Sequence, residues 1–189
     1  MSSNEPPLED PIRADLRVAK SLVVLFTGEG KGKTSAGIGT AVRAAGHGWK
    51  VSVLQFLKSG DWSTGEGKAC HQLGIDFESI GAGFTWDSDN IENDIRIAND
   101  AWSIAAEQIS SGLYQLVVLD ELTYLVAWGW VDEEKVVQTI SARPENVSVV
   151  ITGRDATPGL LKIADTASDI VSLHHAYEQG IAAKKGIDF

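Results

Sequence analysis

Short apolar runs alternate with amphipathic stretches along most of this chain. Continuous aliphatic and β-branched runs are typical of strands buried on both faces, and they occur at residues 22–27, 51–56, 116–119 and 147–152. Weaker patterns predict strands at 75–80 and 169–173. Helices are predicted at about 33–45, 64–73, 91–109, 122–128, 132–142 and 159–164. Strands that alternate with helices predict an α/β fold, in which helices cover both faces of a mostly parallel sheet.

The stretch after residue 90 shows the helical pattern most clearly. Its apolar residues recur at alternating intervals of four and three, at Ile91, Ile95, Ala98, Trp102, Ala105 and Ile109. Asp89 and Glu92 have the spacing of a capping box, so Asp89 is predicted to cap this helix.

Length and composition limit the class of protein. The chain has 189 residues, of which 43% are hydrophobic and 22% charged, and these values suit one folded domain rather than a disordered or membrane protein. We expect residues 1–20 to form an N-terminal arm and residues 21–189 a single domain.

The net charge and the few cysteines and histidines exclude further classes of binding partner and metal site. The net charge of -10 argues against binding to nucleic acid or an anionic membrane, because both need a basic surface. Cys70 is the one cysteine, which excludes an internal disulfide or a cysteine-based zinc cluster. The four histidines show no metal-ligand spacing. The first residues lack the basic start and apolar run of a signal peptide, so we expect a cytoplasmic protein.

A glycine-rich segment between the first strand and the first helix carries the strongest chemical signal. It reads TGEGKGKT from Thr27 to Thr34, which ends as the P-loop pattern G-x-x-x-x-G-K-[ST] does but has Thr27 at the first glycine position. Glycines let backbone N–H groups approach phosphate oxygens, and the start of a helix adds a positive dipole. Lys33 supplies a cation, and the Thr34 hydroxyl can bind Mg²⁺. The alternative is an ordinary glycine-rich turn, which the position between a strand and a helix disfavours.

A strand that ends in two carboxylates supports the interpretation of the glycine-rich segment as a P-loop. The apolar strand 116–119 ends in Asp120 and Glu121, as a Walker B strand does. Carboxylates at this edge of the sheet, beside a P-loop, can hold Mg²⁺ directly or through water. Together the two elements predict a nucleoside triphosphate bound with Mg²⁺.

These elements leave the reaction open. Most P-loop enzymes act on the γ-phosphate with the help of a base or a water-orienting side chain. Glu121, His174 and His175 are candidates, but none has a diagnostic spacing. Phe84 and Trp86 lie in a glycine-containing loop, where they either cap the core or form an apolar platform for a flat ligand.

Longer segments resemble the P-loop type of ATP:corrinoid adenosyltransferases, the CobA/BtuR/CobO type. They follow the expected order over nearly the whole chain beyond the arm, and this family also has Thr at the first glycine position. The matching segments are GEGKGKTSAGIGTAVRAAGHGWKV (28–51), QFLK (55–58), GFTW (83–86), VVLDELTYLV (117–126), ARPENVSVVITGR (142–154), IADT (163–166) and HAYEQGIAAKKGIDF (175–189).

The resemblance implies a P-loop NTPase-like (RecA-like) fold and an unusual reaction. A cob(II) corrinoid is reduced to cob(I), and its cobalt attacks the 5′ carbon of ATP and expels triphosphate. No base is needed, because cobalt carries no proton. ATP is implied to lie reversed on the P-loop, so that the ribose carbon rather than the γ-phosphate is exposed.

The resemblance also implies roles for individual residues. Lys33, Thr34 and Glu121 are the catalytic candidates, and Thr34, Glu121 and Asp120 would organise Mg²⁺. Phe84 and Trp86 would press on the lower corrin face and exclude the lower axial ligand. Arg43 and Arg154 are candidate ATP contacts. The ATP-binding set is Gly28, Glu29, Gly30, Lys31, Gly32, Lys33, Thr34 and Ser35.

The implied partners are a cobalamin or cobyrinic-type corrinoid, a flavoprotein electron donor and a second copy in a homodimer. In this family the N-terminal region can form a helix over the corrinoid, and residues 15–20 could contribute one turn. Two other functions remain open: a P-loop kinase or NTPase that transfers the γ-phosphate, and a corrinoid-handling carrier.

Overall fold

A parallel sheet, with six strands among the described residues, forms the centre of the protein. The computed structural model describes residues 16–58, 64–81 and 90–188. Each strand pairs in parallel with its neighbours, in the order β3-β2-β4-β5-β1-β6. The strands are β1 (Val23–Thr27), β2 (Val51–Gln55), β3 (Asp76–Ser79), β4 (Leu116–Asp120), β5 (Ser148–Thr152) and β6 (Thr166–Asp169). The predicted α/β architecture is confirmed, and it agrees with a P-loop NTPase-like fold.

Helices connect the strands and cover both faces of the sheet. They are α1 (Lys33–Gly46), α2 (Gly65–Gln72), α3 (Ile91–Ser111), α4 (Leu122–Ala127), α5 (Glu133–Ser141) and α6 (Pro158–Ile163), followed by a short 3-10 helix at Ala176–Gln179. Within the described ranges, no helix combines the length and apolar character needed to cross a membrane.

The sheet separates two apolar cores. Alternate residues of a strand point to opposite faces, so Val117 and Leu119 join one cluster while Leu116 and Val118 join the other. The larger cluster includes the buried face of α3, and the smaller one includes Ala41 of α1. A strand buried on both faces must be apolar throughout, which is why the strand runs were visible in the sequence.

The last strand was predicted wrongly. The pattern indicated 169–173, but β6 is Thr166–Asp169. It lies at the edge of the sheet and pairs only with β1 among the described strands, from Val24↔Thr166 to Thr27↔Asp169. An edge strand needs less apolar surface than a central one, so a polar segment forms it, while Val171 and Leu173 beyond it are exposed.

Two smaller predictions, the cap of α3 and the helical turn in the N-terminal arm, differ from the structure. The side chain that caps α3 is Asn90, whose carbonyl oxygen accepts from the Asn93 N–H at 3.1 Å. Asp89, the predicted cap, lies outside the described residues. The described part of the arm, 16–20, contains no helical turn.

Candidate active site

The P-loop segment joins β1 to α1 and is held against the chain that follows β6. The Gly30 N–H donates to the Ile170 carbonyl at 2.6 Å, and the Ile170 N–H donates to the Thr27 carbonyl at 2.8 Å. Gly28 has φ of 98°, and a Cβ there would lie 2.0 Å from Asp169 Oδ1. This close approach requires glycine, because any side chain would separate the loop from β6.

Lys33 directs its ammonium group into this loop. Its Nζ donates to the Gly28 carbonyl at 2.7 Å and to the Gly30 carbonyl at 2.6 Å. Burial, followed by the nearby Arg154 cation, lowers the pKa of Lys33. The loop therefore encloses a positive charge at the point where a phosphate would enter.

The N-terminus of α1 is open to an anion. Its N-cap is Gly32, with φ of 115° and no side-chain hydrogen bond to the first turn, and that turn contains no acidic residue. The first N–H groups of a helix have no partner within the helix and carry a partial positive charge. Thr34 is half-buried in this turn and Ser35 is exposed.

The two Walker B carboxylates occupy different environments. Asp120, the last residue of β4, is 1% exposed. One of its oxygens accepts from Gln55 Nε2 at 2.9 Å, and the other accepts from the Thr152 hydroxyl at 2.6 Å. Glu121 is half-buried and has a left-handed backbone with φ of 68°. Both side-chain oxygens of Asp120 are therefore bonded to protein groups, whereas Glu121 keeps part of its surface accessible.

The charge of Glu121 is disfavoured in the folded protein. Burial, and then the neighbouring Asp120 carboxylate, raise the pKa of Glu121 to about 7. Lys58 and Lys33 oppose this rise through their positive charges. The tertiary structure therefore brings Lys33 and Glu121, which are far apart in the sequence, into electrostatic contact.

Charged pairs surround the loop. Arg154 Nε lies 3.3 Å from Glu29 Oε2, which places this predicted ATP contact beside the P-loop. The Lys31 ammonium pairs with Asp188 near the end of the chain. Arg43 lies in the last turn of α1, ten residues beyond Lys33, or about 15 Å along the helix axis. The structure thus groups Arg154 with the loop and separates Arg43 from it.

A cavity of about 690 Å³ adjoins the P-loop. Lys31, Lys58 and Thr64 contribute its polar wall. The C-terminal segment contributes the rest of the lining, which is mostly apolar and consists of His175, Ala176, Tyr177, Ile181, Ala182, Ala183 and Asp188. The space is therefore lined by Lys31 of the P-loop segment and by a mostly apolar C-terminal segment.

Two candidate site residues lie outside the described part of the chain, and two further residues of the site were not predicted. Phe84 and Trp86 lie outside the described residues. Gln55 and Thr152 contact Asp120 but were not singled out from the sequence. The available signal was a polar residue at the carboxyl end of a mostly apolar strand, in VSVLQ and SVVIT.

The oxygen donors of the site suit Mg²⁺ rather than a metal held by the protein alone. Among the residues that the structure describes, no group of three or more His, Cys, Asp and Glu side chains could hold a metal ion. Mg²⁺ commonly takes one or two protein carboxylates and completes its shell with substrate phosphates and water. The Thr34 hydroxyl and the Glu121 carboxylate, with Asp120 behind it, fit that requirement.

Comparison with known proteins supports the resemblance. Residues 19–189 match the family model described as ATP:corrinoid adenosyltransferase BtuR/CobO/CobP. The chain is 41% identical to the corrinoid adenosyltransferase of Escherichia coli strain K12 over 182 residues, 94% of this chain and 92% of that protein. It is 41% identical to the corrinoid adenosyltransferase CobA of Salmonella typhimurium, with the same coverage. The Pseudomonas aeruginosa corrinoid adenosyltransferase is 39% identical over 178 residues, 93% of this chain and 87% of that protein. The chain belongs to the ATP:corrinoid adenosyltransferase family.

Proposed function

We propose that this protein transfers the 5′-deoxyadenosyl group of ATP to the cobalt of a reduced corrinoid and releases triphosphate. The observation that carries the proposal is the family match over residues 19–189, which includes the P-loop and the strand that ends in Asp120 and Glu121. The activity would serve the biosynthesis or salvage of adenosylcobalamin.

The reaction needs alignment and charge stabilisation rather than proton transfer. The cob(I) electron pair forms the cobalt–carbon bond to the 5′ carbon, while the bond from that carbon to the triphosphate oxygen breaks. No proton leaves either reactant at the reacting atoms. The protein lowers the barrier by holding the two reactants in line and by stabilising the triphosphate anion.

The P-loop is the element suited to the triphosphate. In our proposal, residues Gly28–Ser35 surround the phosphates, and ATP lies reversed so that its 5′ carbon faces the corrinoid. Lys33 exchanges its hydrogen bonds with the Gly28 and Gly30 carbonyls for bonds with phosphate oxygens. The open N-terminus of α1 supplies further N–H donors.

Thr34 and Glu121 are the proposed ligands of Mg²⁺, with Asp120 adjacent. Two neighbouring carboxylates removed from water favour a cation beside them, which supports this assignment. When bound, Mg²⁺ neutralises part of the triphosphate charge. The protein's own contribution is to hold one oxygen donor in the first turn of α1 and the other directly after β4.

The corrinoid and its electron supply complete the proposal. Phe84 and Trp86 press on the lower corrin face, which removes the lower axial ligand and makes cob(II) easier to reduce. The apolar wall of the cavity next to the P-loop offers room for part of a large ring. A flavoprotein donates the electron, and the protein works as a cytoplasmic homodimer.

The test combines product analysis with matched variants. The protein, ATP, Mg²⁺ and chemically reduced cobalamin should yield a product whose absorbance changes on exposure to light, because the cobalt–carbon bond is photolabile. Formation of ADP and phosphate without that product would instead indicate a kinase or NTPase. Tight retention of added cobalamin without any reaction would indicate a carrier.

Variants separate the proposed roles. Lys33→Ala should abolish activity from cob(I), whereas Lys162→Ala, which changes an exposed lysine of α6, should not alter it. Phe84→Ala and Trp86→Ala should lose activity mainly when the reaction starts from cob(II). Equal losses from cob(I) and cob(II) would contradict the role proposed for the two aromatics.

A further inference from the structure

A row of polar side chains crosses the carboxyl edge of the sheet. Ser79, Gln55, Asp120 and Thr152 are the last residues of β3, β2, β4 and β5, which are neighbours in that order. Parallel register places these strand ends side by side, as the pairing of Gln55 with Asp120 shows. The row therefore follows from the topology and not from closeness in sequence.

Hydrogen bonds run through the row without interruption. The Ser79 hydroxyl donates to Gln55 Oε1 at 3.3 Å, and Gln55 Nε2 donates to Asp120 Oδ2 at 2.9 Å. The Thr152 hydroxyl donates to Asp120 Oδ1 at 2.6 Å. Thr152 Oγ1 in turn accepts from the Glu121 N–H at 3.1 Å. The row thus ends on the backbone of Glu121.

Burial makes this row rigid. Gln55, Asp120 and Thr152 are at most 1% exposed. A buried polar group that loses its partner is destabilising, so each member holds the next in one orientation. Both side-chain oxygens of Asp120 already accept a hydrogen bond from this row. Asp120 is therefore suited to orienting the neighbouring residues.

Glu121 needs such support because its backbone is strained. A left-handed conformation is unfavourable for a residue with a Cβ, and Glu121 adopts it with φ of 68°. The Glu121 N–H donates to Thr152 Oγ1, and the Asp120 carbonyl of the same peptide group accepts from the Phe56 N–H at 3.1 Å. Thr152 is the side chain in this pair of contacts. Half-buried Glu121, unlike Asp120, keeps part of its surface accessible.

We propose that Thr152 is a positioning residue for the metal–nucleotide site. Its hydroxyl links the buried Asp120 to the backbone of Glu121 and so fixes the carboxylate that meets Mg²⁺. Asp120 and Gln55 form the fixed base of this link, and Asp120 acts through Thr152 rather than as a direct metal ligand. This inference rests on the proposed role of Glu121 in Mg²⁺ binding.

Thr152→Val and Thr152→Ser in the full chain provide the matched test. Valine keeps the shape of threonine but removes the hydroxyl, whereas serine keeps the hydroxyl. Calorimetric titrations with ATP plus Mn²⁺, and with ATP plus EDTA, measure binding with and without the metal. Thr152→Ala serves as a second variant without the hydroxyl, in case valine prevents folding.

The variants without the hydroxyl should lose metal-dependent ATP binding selectively. Thr152→Val and Thr152→Ala should weaken metal-dependent ATP binding about tenfold or more, the usual effect of removing a group that orients a metal ligand. Metal-free ATP binding should be unchanged, and Thr152→Ser should restore the metal-dependent part. Equal weakening with and without Mn²⁺, no restoration by serine, or no metal dependence in the unchanged protein would each overturn the proposal.

This experiment is independent of the proposed reaction. If the Thr152 variants show the selective loss and its restoration by serine, but the unchanged protein forms no light-sensitive product from cob(I), the proposed function fails and the role of Thr152 stands. If the product forms but the valine and serine variants bind Mn²⁺ and ATP alike, the role of Thr152 fails and the function stands.

Discussion

Replacing Glu121 with glutamine should stabilise the ligand-free protein at neutral and alkaline pH. Burial and the neighbouring Asp120 raise the pKa of Glu121 from 4.5 to about 7. The folded chain therefore keeps the Glu121 proton to a higher pH than the unfolded chain does. Stability contributed by the protonated form is lost as the pH rises through this range, and the loss is complete above the folded pKa.

The size of this effect follows from the pKa difference. A rise from 4.5 to about 7 corresponds to roughly 3 kcal/mol of stability lost at a pH well above 7. For a domain of this size each kcal/mol changes the melting temperature by about 2–4 °C. Glutamine has the same length as glutamate but no charge, so Glu121→Gln should recover most of this loss.

Thermal unfolding between about pH 5 and pH 8, with EDTA and without nucleotide, measures the effect. The melting temperatures of Glu121→Gln and the unchanged protein should be close near pH 5 and should separate by several degrees towards pH 8. Glu107→Gln, which changes an exposed glutamate of α3, provides the control. A difference that stays constant across this pH range would refute the reasoning. The same variant should lose metal-dependent adenosyl transfer, since it lacks the proposed ligand.

Three further predictions concern the loop, the core and a helix cap. Gly28→Ala should sharply reduce ATP affinity in calorimetry because its Cβ would meet Asp169, whereas Gly39→Ala, in open space on α1, should raise stability by up to about 1 kcal/mol. Ile151→Ala, at a fully buried position of β5, should lower the free energy of unfolding in urea by about 2–5 kcal/mol. Asp132→Ala should lower it by about 1 kcal/mol, because the Asp132 side chain accepts from the Glu134 and Lys135 N–H groups at the start of α5. A small effect of Gly28→Ala, or a value below 1 kcal/mol for Ile151→Ala, would contradict the packing described above.

Central elements could be predicted from the sequence because their environments demand one kind of residue. β4 and β5 lie between helices on both faces, so their central residues form continuous apolar runs. The edge strand β6 has no such requirement, and its mostly polar sequence TASD (Thr166–Asp169) gave no strand pattern. The exposed apolar residues Val171 and Leu173 were therefore mistaken for the strand.

The candidate site also contains residues that a local sequence pattern predicts and residues that only the fold brings together. Gly28, Lys33 and Thr34 lie within one short segment, so a single local motif was enough to select them as candidates for phosphate binding. Gln55 and Thr152 contribute through contacts with Asp120, which lies 65 and 32 residues away in sequence. Such contacts depend on strand order, and a sequence pattern in one segment does not contain that order.

The sequence by itself determined the α/β class, the P-loop and the family resemblance, because periodicity, glycine placement and long matching segments are local properties of the chain. The tertiary structure alone decided how the two carboxylates differ. Parallel pairing of β2, β4 and β5 turns Asp120 into a buried, hydrogen-bonded group and holds Glu121 in a strained, half-buried position. The physical reason is that burial and partners, which set the charge and orientation of a carboxylate, come from distant strands that only the folded chain brings together.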